Sequence, residues 1–355
     1  MATASEQNRG LHAVRTWLLV VAALVVATLI VGGATRLTES GLSIVEWKPV
    51  TGVLPPLTET HWAAEFEKYK QIPQYREINR GMSLSEFKII FWWEWAHRIL
   101  GRVIGAVFLL PLLYFLWRGW IGRDLRWPLT GLFALGGIQG AVGWWMVSSG
   151  LTERVSVSQY RLAFHMTLAC VIYAAIVWIV ARLKPLPPVA MPSRLRLSAM
   201  MFVVLILLQI YLGALVAGLD AGLVYNTWPH IDGALIPSSE RLLFETPLWR
   251  NFFENALTVQ FNHRMLAYLI LLLALWHSWD MSRSTQDRTM RAYATLFVLL
   301  LVMQAMIGIA TLLYAVPIAL ALLHQAMAIL LLTVAVLQAA RPVHATADIS
   351  VLSRA

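Results

Sequence analysis

Two stretches of this chain set a histidine–arginine pair at the head of a long apolar run: FWWEWAHRILGR, Phe91 to Arg102, and VQFNHRMLAY, Val259 to Tyr268. Two further histidines, His165 in FHMTLA and His324 in LHQAMA, stand inside later apolar runs. A single histidine in hydrocarbon is explained by one interhelical hydrogen bond, worth about 0.6 kcal/mol. Four in matched pairs need another explanation. Two imidazoles are too few for a closed zinc site, which takes four ligands. The only cysteine, Cys170, lies alone in an apolar run, where inert packing is expected. Haem is the economical solution, because the porphyrin supplies four nitrogens and the protein only the axial positions. His97 and His165 make one candidate pair, His263 and His324 the other.

The surroundings of the two pairs differ. Glu94 precedes His97 by three residues and so shares its helix face, whereas the matching position before His263 is the neutral Gln260. An ionisable side chain within a membrane helix is a candidate for function. This asymmetry suggests chemistry at the first pair and a permanently held haem at the second. Arg98 and Arg264 follow their histidines directly. Each is placed either to pair with a haem propionate or to snorkel to lipid headgroups.

Such residues need elements that can carry them across a bilayer. Of the 355 residues 59% are hydrophobic and only 13% charged, with 16 tryptophans, well below the roughly 25% charged residues of soluble domains. Apolar runs of about 20 residues, each enough to span the hydrocarbon, recur at Trp17–Ala34, Ile89–Trp117, Trp127–Val147, Tyr160–Ala181, Leu197–Ala217, Val259–Trp279, Ala292–Tyr314 and Pro317–Ala339. Backbone groups in lipid must be satisfied within their own segment, so these runs are expected to be helices. The net charge of +9 gathers in short loops on one side, with Arg118, Arg123 and Arg126, then Arg182, Lys184, Arg194 and Arg196, then Arg283, Arg288 and Arg291. By the positive-inside rule that side is cytoplasmic, together with both termini. The basic balance therefore reports orientation in lipid and gives no reason to expect a nucleic-acid partner.

The chain also repeats itself. GLSIVEWKPVTGVLP, from Gly41, aligns with GLVYNTWPHIDGALIP, from Gly222, matching Gly, Leu, Trp, Gly and Leu without a gap. His97-Arg98 then matches His263-Arg264, Gln139-x-x-x-Gly143 matches Gln304-x-x-x-Gly308, and FHMTLA matches LHQAMA. Helices one to four thus recur as five to eight. The expected fold is all-α and polytopic: eight transmembrane helices in two tandem four-helix bundles, related by a pseudo-two-fold axis along the membrane normal. The bundles cover residues 17–184 and 185–340, flanked by cytoplasmic tails at 1–16 and 341–355. Arg9 and Arg15 before the first apolar run imitate a secretory signal, but the repeat requires that run as a helix.

The even-numbered helices all run inward, so the four histidines fall at a common level in the outer half, about 10 Å deep for His165 and His324. His12 and His344 lie in the tails, His61 and His230 in outer loops and His277 near an inner helix end. These five are expected to meet water or the interface and receive no role. The long outer loops, about 37–88 and 218–258, carry the matched tryptophan motifs and are expected to fold as lids. Nothing in the sequence resembles a P-loop, a catalytic triad or a dinucleotide fingerprint.

EWAHR, the second HR pair, the two later histidines and GGATRLTESGLSIVEWKPVTGVLPP together resemble the haem A synthases, in the form found in mitochondria and alphaproteobacteria. The likeness runs from about Trp17 to Ala340. Some bacterial members carry a cysteine pair in an outer loop that this chain lacks. The resemblance implies an enzyme that oxidises the C8 methyl group of haem O, through hydroxylation, to the formyl group of haem A for terminal oxidases. It implies substrate haem at His97 and His165, haem b iron at His263 and His324, and Glu94 as the functionally important glutamate. It further implies an electron donor, the haem O-making farnesyltransferase as partner, and the inner or plasma membrane as location. The residues alone leave open a di-haem membrane cytochrome passing electrons from quinol, or a haem carrier.

Overall fold

The computed structural model of the chain describes residues 4–49, 51–183 and 187–346. Eight long helices dominate it. They are α1 (Ala4–Leu37), α2 (Leu84–Trp117), α3 (Arg123–Ser148), α4 (Gln159–Leu183), α5 (Ser193–Gly218), α6 (Ala256–Ser284), α7 (Arg288–Leu313) and α8 (Ile318–Ala339). Each contains one of the eight apolar runs. Among the described residues, seven are long and apolar enough to cross a membrane. The other is α3, whose run is interrupted by Gly131, Gly136, Gly137, Gln139, Gly140 and Gly143. The outward faces of the helices are apolar, with Leu110, Val204, Leu272 and Leu299 all exposed. A soluble protein buries such faces; this chain is a multi-pass membrane protein.

Helix starts follow local chemistry. Ser83 and Glu86 form a capping box on α2, with the Ser83 amide donating to Glu86 Oε2 at 2.7 Å. The Asn255 carboxamide oxygen caps α6 and Asp287 caps α7. Pro317 stands immediately before α8, where its missing N–H costs nothing.

The chain divides into two units, Met1–Tyr173 and Ala174–Ala355, with the division inside α4. In the first, α1 and α3 pack on α2. Pro111 has no N–H for the Val107 carbonyl one turn back; the Trp17 indole N–H donates to that carbonyl at 2.7 Å. The long loop between α1 and α2 is folded, with helices Glu59–Tyr69 and Pro73–Glu77. Trp62, Phe66, Tyr69 and Ile72 form a core with Phe87, Ile90 and Phe91 of α2. Glu46 in this loop sits between Lys48 and Lys68, at 2.5 and 2.8 Å. Hydrogen bonds from Lys48 and then Lys68 hold its carboxyl below the usual carboxylate range.

In the second unit α5 packs on α6 and α8, and α7 packs on the same two, closing a four-helix ring. The structure adds an element that the helical pattern does not foretell. β1 (Val189–Pro192) and β2 (Val343–Thr346) pair in parallel, from Val189 opposite Val343 to Pro192 opposite Thr346. Val189 and Met191 of β1 are buried with Leu195, Met281, Met290 and Ala294.

The repeat register aligns Trp17 and Pro111 with Ser198 and His277, and here the expectation for His277 is corrected. His277 is 1% exposed. Its Nδ1 lies 2.7 Å from Ser198 Oγ and its Nε2 2.5 Å from Gln338 Nε2, joining α6 to α5 and α8. Ser198 also donates to the Leu195 carbonyl, which leaves Nδ1–H as the donor to Ser198 and Nε2 as the acceptor from Gln338. We predict that His277→Leu lowers the melting temperature in detergent, because two buried polar partners lose their bonds at about 1–3 kcal/mol each. Haem content should be unchanged, and its loss would show that this bridge also shapes the haem site.

Candidate functional site

Each of the four histidines faces the helix that precedes its own, at a glycine. His97 of α2 lies against Gly32 of α1, His165 of α4 against Gly143 of α3, His263 of α6 against Gly213 of α5 and His324 of α8 against Gly308 of α7. A Cβ at those glycines would stand 2.6, 2.9, 3.1 and 2.7 Å from the imidazole Cε1. Only glycine lets the ring and the neighbouring backbone come so close.

Four residues before three of these glycines stands a glutamine whose amide reaches the histidine. Gln139 donates to the His165 carbonyl at 2.9 Å, Gln209 to that of His263 at 3.0 Å and Gln304 to that of His324 at 3.1 Å. The same nitrogens lie 3.1 Å from Nδ1 of His165 and of His263, and 3.4 Å from Nε2 of His324. His97 and His165 lie in the first unit and His263 and His324 in the second, two to each. The four sequence-selected histidines are thus brought together as two pairs. Among the described residues no cluster of three or more His, Cys, Asp or Glu could hold a bare metal ion. Buried Nδ1 atoms of His97 and His324 have no hydrogen-bond partner among the described residues.

Glu94 is 2% exposed and so is enclosed by protein. Its Oε2 accepts from Ser43 Oγ and from the Ile44 amide, both at 2.7 Å, and its Oε1 accepts from Arg98 at 2.6 Å. Arg98 also donates to the carbonyls of Ile44 and Glu46. Carboxylate and guanidinium together fasten the start of the loop between α1 and α2 to α2. The second unit keeps the arrangement with its polarity reversed. Gln260 donates to the Ala221 carbonyl at 3.1 Å and accepts from Arg264, which also donates to the carbonyls of Tyr225, Thr227 and His230. Arg98 and Arg264, selected as propionate partners, are therefore both engaged with the loop above their histidine.

The matched loop tryptophans also pack on helices. Trp47 stacks on Trp144 of α3 at 5.8 Å, and the Trp228 indole donates to the Tyr268 hydroxyl at 3.0 Å. Arg102 adds bonds to the carbonyls of Lys48 and Pro49. Sequence reasoning missed Gln209, Gly32 and Gly213. The signal was present, because the repeat that pairs Gln139-x-x-x-Gly143 with Gln304-x-x-x-Gly308 extends to α5 and, in its glycine, to α1.

Helices that expose apolar faces and folded loops at their ends define a polytopic membrane protein. Residues 15–336 match the sequence profile described as cytochrome oxidase assembly protein, COX15-CtaA, and the chain belongs to that family. It is 60% identical over 345 residues to a protein named Heme A synthase from Rhodopseudomonas palustris strain HaA2, covering 96% of this chain and 94% of the relative. It is 61% identical over 341 residues to a protein of the same name from Bradyrhizobium diazoefficiens, with the same coverage.

Proposed function

We propose that this chain is a haem A synthase, an oxidoreductase that converts the C8 methyl group of haem O to a formyl group. The observation that carries the reading is the pair of unequal histidine sites, set in a chain about 60% identical to proteins named for this activity. The repeat supports eight spans, with the glycine-rich α3 as the eighth, in bundles at residues 17–184 and 185–340. The substrate haem belongs to His97 and His165 of the first bundle, haem b to His263 and His324 of the second. The inner membrane, with both termini cytoplasmic, is the location that the basic short loops support. An electron donor and the farnesyltransferase that makes haem O are the partners this chemistry calls for.

The residues fit these groups. Paired imidazoles could hold a haem iron, and among the described residues no cluster of three or more metal-binding side chains competes. Haem b, when bound, supplies a one-electron redox centre. The protein does the remainder. His97 and His165 orient the substrate, while Glu94 and Arg98 hold the loop at Ser43–Glu46 over that site. Glu94 is the only carboxylate on that helix turn, and its Oε1 and Oε2 are where a proton from the oxidised methyl group would be held. The neutral Gln260 gives the second bundle no such group.

The test is to purify the full chain, extract its haems and identify them. Haem B together with haem O or haem A supports the synthase. Haem B alone, at two per chain, would replace it with a di-haem cytochrome. In the same preparation His97→Ala and His165→Ala should keep the haem B spectrum while haem A production falls away. Wild-type haem A output from either variant would remove that histidine from the reaction.

A further inference from the structure

Three of the four histidines share a support that the fourth lacks. In α3, α5 and α7 a glutamine reaches over to the histidine one helix on, with its nitrogen 2.9 to 3.1 Å from the histidine carbonyl. In all three the carboxamide oxygen is buried with no hydrogen-bond partner among the described residues. The corresponding residue of α1, four before Gly32, is Thr28. Its hydroxyl is committed to the Leu24 carbonyl at 2.8 Å, and it presents only its main chain to His97.

An imidazole that gives one nitrogen to iron is oriented by what its other groups bond to, and such outer partners set ring orientation and ligand strength. A glutamine whose amide nitrogen is tied to the histidine carbonyl and lies 3.1 to 3.4 Å from a ring nitrogen blocks rotation of the imidazole. The Thr28 hydroxyl, turned back on its own helix, puts no such amide against the His97 ring, which meets only the Thr28 main chain.

We propose that Gln139, Gln209 and Gln304 are positioning residues that lock the imidazoles of His165, His263 and His324. His97, facing Thr28, is then the axial ligand that releases. This rests on the haem reading above and deepens it. Haem b has both ligands locked and stays, whereas the substrate haem has one locked ligand and one free to let go, as a haem that must arrive and depart requires.

Gln209→Met tests the proposal in the purified full-length protein, because methionine keeps the volume and removes the amide. Gln304→Met repeats it on the partner ligand, so that a folding defect of one helix does not decide the outcome. Wild-type haem b is expected to be six-coordinate and inert to carbon monoxide when reduced. Each methionine variant should keep haem b but show altered low-spin resonance positions and a several-fold rise in the fraction binding carbon monoxide. The reciprocal Thr28→Gln should raise the amount of haem O or haem A that copurifies. Methionine variants with the wild-type spectrum and carbon monoxide inertness would reduce the glutamines to filling space and overturn the proposal. Wild-type protein without haem would overturn the reading beneath it, and the proposal with it.

Discussion

His263→Ala or His324→Ala should leave the purified protein with several-fold less haem B per chain, measured as the pyridine complex. On the proposed reading each substitution would delete one of the two ligands that hold the haem. It also leaves an amide on the preceding helix, from Gln209 or Gln304, without its partner ring. The fold should survive, because the helix contacts around α6 and α8 involve many other residues: Ile270, Ala274 and Met281 on one, Ile329, Leu332 and Val336 on the other. A pair of alanine variants with normal haem B and unchanged spectra would show that the second pair does not hold this haem. The first-unit alanine variants provide the contrast, since they should lose haem A production with haem B in place.

Glu94→Gln should fold, bind both haems and stall, with haem A output falling by about two orders of magnitude, the lower range for loss of a group that exchanges protons in a reaction. Haem O or a partly oxidised product should accumulate. Gln260 beside Arg264 shows that an amide is sterically acceptable in this arrangement. The substitution nevertheless leaves the half-buried Arg98 without its counter-charge and changes what faces Ser43 and the Ile44 amide. Two outcomes separate proton handling from loop fastening. If the charge matters through protons, the loop should remain ordered by proteolysis while turnover fails. Turnover that fails only alongside increased cleavage near Ser43–Glu46 would assign the carboxylate to fastening. Near-normal haem A output would remove the main chemical distinction between the units.

Helices were legible because lipid demands a long apolar run whatever its partners. Even so the α1 run, expected from Trp17, extends back to Ala4, since a polar stretch such as ASEQNR can continue a helix without any change in hydrophobicity. The histidine pairs were legible because they repeat. His277 was misjudged from an apparent position near a helix end; α6 runs on to Ser284, which places it about two turns inside. The bonds of Glu94 to Ser43 and Ile44 cross some 50 positions of sequence and follow no local period. Neither does β1 with β2. Patterns within one helix reveal its faces, whereas a partner on another element is visible only where a duplicated sequence states it twice, as with the glutamines.

That strand pair has a consequence for the order of assembly. Val189–Pro192 is made before any of α5 to α8, and its partner Val343–Thr346 comes after all of them. Parallel strands cannot be joined by a tight turn, and here the connection is the whole helical ring. During synthesis β1 must therefore wait with its edge open until the last helix is in place, and its pairing marks the completion of the unit. A chain ending at Ala340 would contain all eight long helices with His97, His165, His263 and His324 and still lack that latch, so its second unit should be the more readily extracted and digested.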